Sequence, residues 1–166
     1  MTRQETLAHF RSTTEQLTQL IRKFDDASFN HKPEAATWNA CEIVEHLLLF
    51  DIRLNEVIAT SHKQEERNSL EKVPAFIPRI TNLSLKLDAP PFLVPVVAPC
   101  SPVEMADKIL AQRNKVLKSA EEKDLSLIST QFPHRIFGEM TIQEWLVFVD
   151  MHTHRHIFQL ERLLHR

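Results

Sequence analysis

A chain of 166 residues, 43% hydrophobic and 25% charged, has the makeup of one globular domain (1–166) large enough to bury a core. Its net charge of -2, with Lys and Arg scattered along the chain, offers nucleic acid no electrostatic footing. The single glycine, Gly138, excludes Gly-rich phosphate cradles and a G-x-S-x-G nucleophile elbow, and argues against a turn-rich sheet protein.

In chain order, a first helix is predicted from the capping pair Thr2 and Glu5, with Leu7, Phe10, Thr14, Leu17, Ile21 and Phe24 on its buried stripe. A second opens at Asn39 with Glu42 and buries Ile43, Leu47, Phe50, Leu54, Val57 and Ile58. It is apolar on its other side too, at Leu48, Leu49 and Ile52, a surplus that calls for cover by the following connection or by a second subunit in a homodimer. That connection, within residues 69–100, holds six of the nine prolines (Pro74, Pro78, Pro90, Pro91, Pro95 and Pro99). Its apolar run Phe92-Leu93-Val94-Pro95-Val96-Val97 marks it as a packed crossover rather than a disordered linker. A third helix is predicted from Ser101 with Glu104, Pro102 at its first position, and Val103, Ala106, Ile109, Leu110, Val116 and Leu117 as its apolar residues. A fourth opens at Thr141 with Glu144 and carries Trp145, Val149, Ile157, Leu160 and Leu163. The expected fold is an all-α four-helix bundle with a long Pro-rich crossover between helices 2 and 3.

Cys41 and Cys100 lack a repeating spacing and read as separate thiols in a reducing compartment, Cys41 packed rather than ligating. With no signal-peptide core and no run near the roughly 20 apolar residues of a membrane span, a cytoplasmic protein free of membrane is expected.

The fourth helix contains His152-Thr153-His154-Arg155-His156. On a helical wheel with His152 at 0°, His156 falls at about 40°, within the stripe of Trp145, Val149, Leu160 and Leu163, while His154 falls at about 200° and faces solvent. On the second helix His46 is likewise a polar residue in the stripe of Ile43, Phe50, Leu54 and Val57. His9 lies off the first helix's stripe, and His31, His62, His134 and His165 fall in loops or at helix ends. A buried imidazole must find a partner, and a metal supplies one for all three of His46, His152 and His156. Three neutral imidazoles suit Zn²⁺ or Ni²⁺ and leave coordination positions open. Glu42, one turn before His46, is a candidate to accept its second ring N–H as well as a capping acid. Trp38 and Trp145 are expected in the core or a pocket wall, and no catalytic residue beyond the ligands is identified.

These residues carry a family likeness. Thr37-Trp38-Asn39-Ala40-Cys41-Glu42-Ile43-Val44-Glu45-His46-Leu47 resembles the helix-two signature of the DinB-like superfamily, where a Trp and a capping residue lead into Glu-Ile-x-x-His-Leu. The stretch from Thr141 through His152-x-x-x-His156 to Gln159-Leu160 resembles that family's last helix. The resemblance implies a four-helix bundle in which His46, His152 and His156 hold a divalent metal, zinc or nickel. It further implies relatives that include thiol-dependent transferases and isomerases using bacillithiol or mycothiol. The long Pro-rich connection departs from compact members of the family. The leading expectation is a metal-dependent transferase joining a low-molecular-weight thiol to an electrophilic substrate. The alternatives are a hydrolase using metal-activated water and a non-catalytic, stress-related metal-binding bundle.

Overall fold

The computed structural model describes residues 1–34, 37–85, 88–96 and 99–165; Val97, at the end of the apolar run above, lies outside them. Six helices are described: α1 (Arg3–Ile21), α2 (Asp26–Asn30), α3 (Ala40–Ala59), α4 (Val73–Thr81), α5 (Pro102–Glu121) and α6 (Ile142–Leu164). The long ones, α1, α3, α5 and α6, are the four expected helices, and the fold is the expected all-α bundle.

Local chemistry sets their starts. Reciprocal capping boxes form at Thr2 with Glu5, Asn39 with Glu42 and Thr141 with Glu144, each satisfying two backbone N–H groups that the first turn leaves unpaired. The fourth expected box does not form. Ser101 flanks α5 without a side-chain capping bond, and Pro102, whose φ is already helical, opens the helix instead. A box that the sequence reading passed over, Asp25 with Ser28, starts α2.

The stripes of α1 and α3 are buried as expected. On α5 the expectation needs correction: Val103 is 51% and Leu110 38% exposed, while Arg113 is fully buried among the four long helices. Its Nε–H donates to Asp51 of α3 at 2.8 Å, its other nitrogens reach Thr14 of α1 and Thr153 of α6, and its guanidinium lies over the Phe10 ring. A stripe drawn from apolar residues alone leaves every charge outside it, and so misses an arginine whose partners come from three other helices.

Side-chain pairs fix the helix directions. Asp51 meets Arg113 and Asn55 meets Ser119, so α3 and α5 are neighbours running parallel. Thr6 meets Gln143 and Thr13 meets His154, so α1 and α6 are parallel as well. Arg22 with Asp107 and Arg11 with Glu121 make α1 and α5 antiparallel, and Phe50 with Phe148 and His46 with His156 do the same for α3 and α6. The bundle therefore runs up, down, down, up. Two successive parallel neighbours cannot be joined by a short turn, so the chain after α3 must travel back along the length of a 20-residue helix, roughly 30 Å. The Pro-rich connection makes that journey.

It is held at several points along the way. Its β1 (His62–Lys63) pairs antiparallel with β2 (Ile128–Ser129) of the segment before α6. Arg67 makes a two-pronged bond to Glu144, and Lys72 caps the carbonyls of Phe137 and Glu139 beside Gly138, whose φ of 66 is left-handed. α4 buries Phe76 and Ile80, and Arg155 of α6 donates to the carbonyls of Ile80, Asn82 and Leu85 at the end of α4. A 3₁₀ turn, Pro91–Leu93, then packs on α3 with Leu93 buried. Leu49 from the surplus face of α3 joins the core cluster and Leu48 packs on the second cluster, while Ile52 stays 41% exposed.

The crossover ends in a bond that the cysteine reading did not anticipate: Cys100 forms a disulfide with Cys41 at the start of α3, their Cα atoms 6.4 Å apart. The two cysteines are therefore not separate thiols. They stand 59 positions apart in the chain, and only the parallel placement of α3 and α5 brings both helix starts to the same end of the bundle. Among the described residues, no helix is long and apolar enough to cross a membrane.

Candidate metal centre

Antiparallel packing of α3 against α6 brings His46 of the first to His152 and His156 of the second. One ring nitrogen from each lies within 4.8 Å of the others. The Nε2 atom of His152 is 3.5 Å from that of His46 and 3.1 Å from that of His156. Nitrogens bound to one tetrahedral Zn²⁺ at about 2.0–2.1 Å would stand roughly 3.4 Å apart, and the two separations bracket that value. His46 and His156 are buried and His152 is half-buried.

The outer nitrogens decide how the inner ones point. His46 Nδ1–H donates to the Leu93 carbonyl at 2.8 Å, and a carbonyl can only accept, so the Nε2 of His46 carries a lone pair. His156 Nδ1–H donates to Gln159 Oε1 at 2.7 Å, with the same consequence. Two lone pairs thus face His152, whose single Nε2 can donate to only one of them. His152 Nδ1 is buried with no hydrogen-bond partner among the described residues. Three nitrogens aimed at one point, with fewer protons than lone pairs, form a donor set that a cation satisfies and a protein-only network does not.

Electrostatics agree with that reading. Burial pushes His156 down to about 3, helped by the neighbouring charge of His46 and opposed by the Gln159 bond. Burial, then His156, His46, Arg155 and Arg113, hold His152 well below the usual imidazole value. Burial also lowers His46, against the Leu93 bond. All three are neutral at pH 7, the form that binds metal.

Aromatic rings wall the cluster. Trp38 lies against His46 with centroids 5.0 Å apart, and Phe50 packs on His152 at 4.9 Å. Phe148 stacks nearly parallel to His152 and leads outward to His134, Phe137 and Trp145. Trp38 is thus a wall of the site and Trp145 lies one layer further out. His154 is exposed, as its helical phase required, and meets Thr13 on α1.

Glu42 does not hold His46. Its carboxylate accepts the Asn39 backbone N–H and pairs with Lys32, while the crossover supplies Leu93 in its place. The sequence reading missed Leu93 because a backbone carbonyl has no signature. Gln159 was legible in principle: three residues after His156, it shares that residue's helical face.

An all-α bundle with three inward histidines on its second and last long helices defines a class of protein, and the chain belongs to it: it matches the DinB superfamily over residues 9–160. The likeness read from the two helix motifs is borne out. The chain is also 25% identical over 146 residues to the uncharacterized protein YuaE of Bacillus subtilis (strain 168), which covers 86% of this chain and 87% of that one. No solved structure matches it.

Proposed function

We propose that His46, His152 and His156 bind a divalent metal, zinc or nickel, and that the protein is an enzyme transferring a low-molecular-weight thiol to an electrophilic substrate. The observation that carries the metal reading is the convergence of three neutral ring nitrogens, two of them aimed by bonds from Leu93 and Gln159 to their far sides. An all-neutral donor set leaves the full positive charge on the ion, which when bound supplies the Lewis acidity that holds a coordinated thiol as thiolate at neutral pH.

The chain's own residues do the rest. The Leu93 carbonyl and Gln159 fix the tautomers of His46 and His156, and Trp38, Phe50 and Phe148 keep water from the inner face of the cluster. The hydrogen bonds described for the three rings run to Leu93, to Gln159 and to one another, none to a carboxylate among the described residues. That no carboxylate among the described residues bonds these rings favours a nucleophile that is ionised by coordination alone, as a thiol is, over a hydrolytic water.

The experiment has two stages. Elemental analysis of purified protein should find one metal per chain, and loss of it in His46→Ala and His152→Ala variants. Zinc- and nickel-loaded protein is then assayed with a panel of thiols and a generic electrophile. Turnover that needs both thiol and histidines supports the reading. Turnover of esters without thiol points to the hydrolase, and bound metal without any turnover points to a structural role.

A further inference from the structure

The Cys41–Cys100 disulfide ties the crossover to the helix that carries His46, and its two residues differ in exposure. Cys41 is the second residue of α3 and 1% exposed, whereas Cys100 is half-buried at the end of the crossover. We propose that Cys100 is a modification site at which a small external thiol opens this disulfide and so loosens the metal centre.

An incoming thiolate, R–S⁻, reaches the Cys100 sulfur from the solvent side. Attack at the Cys41 sulfur is blocked by the packing around it. The new bond is R–S–S–Cys100, the old S–S bond breaks, and its electron pair departs on Cys41 as thiolate. No outside oxidant or reductant is needed, because one disulfide is exchanged for another. Cys41 leaves because the attack is at Cys100, and its place in the first turn of α3 sets it at the positive end of the helix dipole, which favours negative charge.

The exchange reaches the metal centre through the chain. The loop that the disulfide closes contains Leu93, whose carbonyl accepts the His46 Nδ1–H. Once the bond opens, this end of the crossover is still held by Asn30, which bonds both the N–H and the carbonyl of Cys100, and by the Val96 N–H to Glu45. The covalent tie to α3 is gone. Leu93 then orients His46 less firmly, and a ligand losing its outer partner binds metal about 10- to 100-fold more weakly. This second half rests on the metal reading above; the exchange chemistry does not.

Glutathione is the probe for the first half. Folded, oxidised protein is incubated with it, then unfolded in urea containing excess N-ethylmaleimide so that the buried thiol is trapped, and analysed by intact mass and peptide mapping. The expected product carries one glutathione on Cys100 and one maleimide on Cys41. The reverse placement would overturn the proposal, as would no adduct in folded protein when protein unfolded in urea reacts. For the second half, zinc affinity is measured against a competing chelator in oxidised wild type and in the Cys41→Ser/Cys100→Ser variant, with circular dichroism as the folding control. A 10- to 100-fold loss in a helical variant supports the coupling and equal affinity refutes it. If the oxidised wild type itself binds no zinc, the metal reading fails, the coupling with it, and the mass experiment alone decides the exchange.

Discussion

Arg113→Met is the substitution that most severely tests how this bundle is held together. Arg113 and Asp51 are both fully buried, and they bond at 2.8 Å between α3 and α5 while Arg113 also reaches α1 and α6. Methionine fills much of the volume but leaves the Asp51 carboxyl buried without its countercharge. Removing one partner of such a pair costs about 3–5 kcal/mol. Burial already pushes the Asp51 carboxyl up against the pull of Arg113, so without the arginine it takes up a proton more readily and the lower end, about 3 kcal/mol, is expected at pH 7. For a chain of this size that is a fall in melting temperature of roughly 6–12 °C. The sign with pH follows: a folded-state pKa above the unfolded value gives stability that is lost as pH rises through it, so the variant's deficit relative to wild type should shrink between pH 7 and pH 5. Replacing both residues, Asp51→Leu with Arg113→Met, removes the stranded charge and should return to within about 1 kcal/mol of wild type. Urea denaturation of the four proteins of this cycle measures all three effects. A single variant that loses under about 1 kcal/mol, or a double variant as unstable as the sum of the singles, would refute the reasoning.

Acidifying the metal-free protein from pH 7 to pH 5 should cost about 2 kcal/mol through His156 alone. Its folded-state value of about 3 lies below the unfolded 6.5, so stability is full above 6.5 and is lost as pH falls, and a His156→Leu variant with an equally steep fall would contradict this. Gln159→Leu should weaken zinc binding about 10- to 100-fold in a chelator competition while leaving the circular dichroism unchanged; unaltered affinity would show that the His156 Nδ1 bond does not orient the ring. Glu144→Gln should lose about 2 kcal/mol in urea denaturation, because its buried carboxylate accepts from Arg67, the Lys72 N–H and the Thr141 N–H at once, and a loss below about 0.5 kcal/mol would refute that role.

The helices and the three histidines of the site were legible because both obey local rules. Capping boxes and a 3.6-residue stripe are written in neighbouring residues, and helical phase alone put His152 and His156 together and turned His154 outward. His46 was found by the same reasoning, as a polar residue on a face that has no use for one. What stayed hidden depends on contacts between distant segments. Arg113 resembles any surface arginine until Asp51, Thr14 and Thr153 arrive from three other helices. Cys41 and Cys100 resemble unrelated thiols until α3 and α5 run parallel.

The Pro-rich crossover is where the two kinds of information meet. Its length follows from topology, since parallel neighbours α3 and α5 cannot be joined by a turn. Its prolines pre-set the backbone at Pro90 and Pro91, where the 3₁₀ turn presents the Leu93 carbonyl to His46. A compact bundle with a short loop would lack that acceptor and would have to orient the histidine from its own helix, the role that Glu42 was expected to fill. In this chain Glu42 is free to cap α3, and the orientation of His46 passes to a segment whose far end is fastened by Asn30, by the Val96 N–H to Glu45 and by a disulfide. The connection is therefore part of the site, and changes in it should act on the orientation of His46 before they act on the fold.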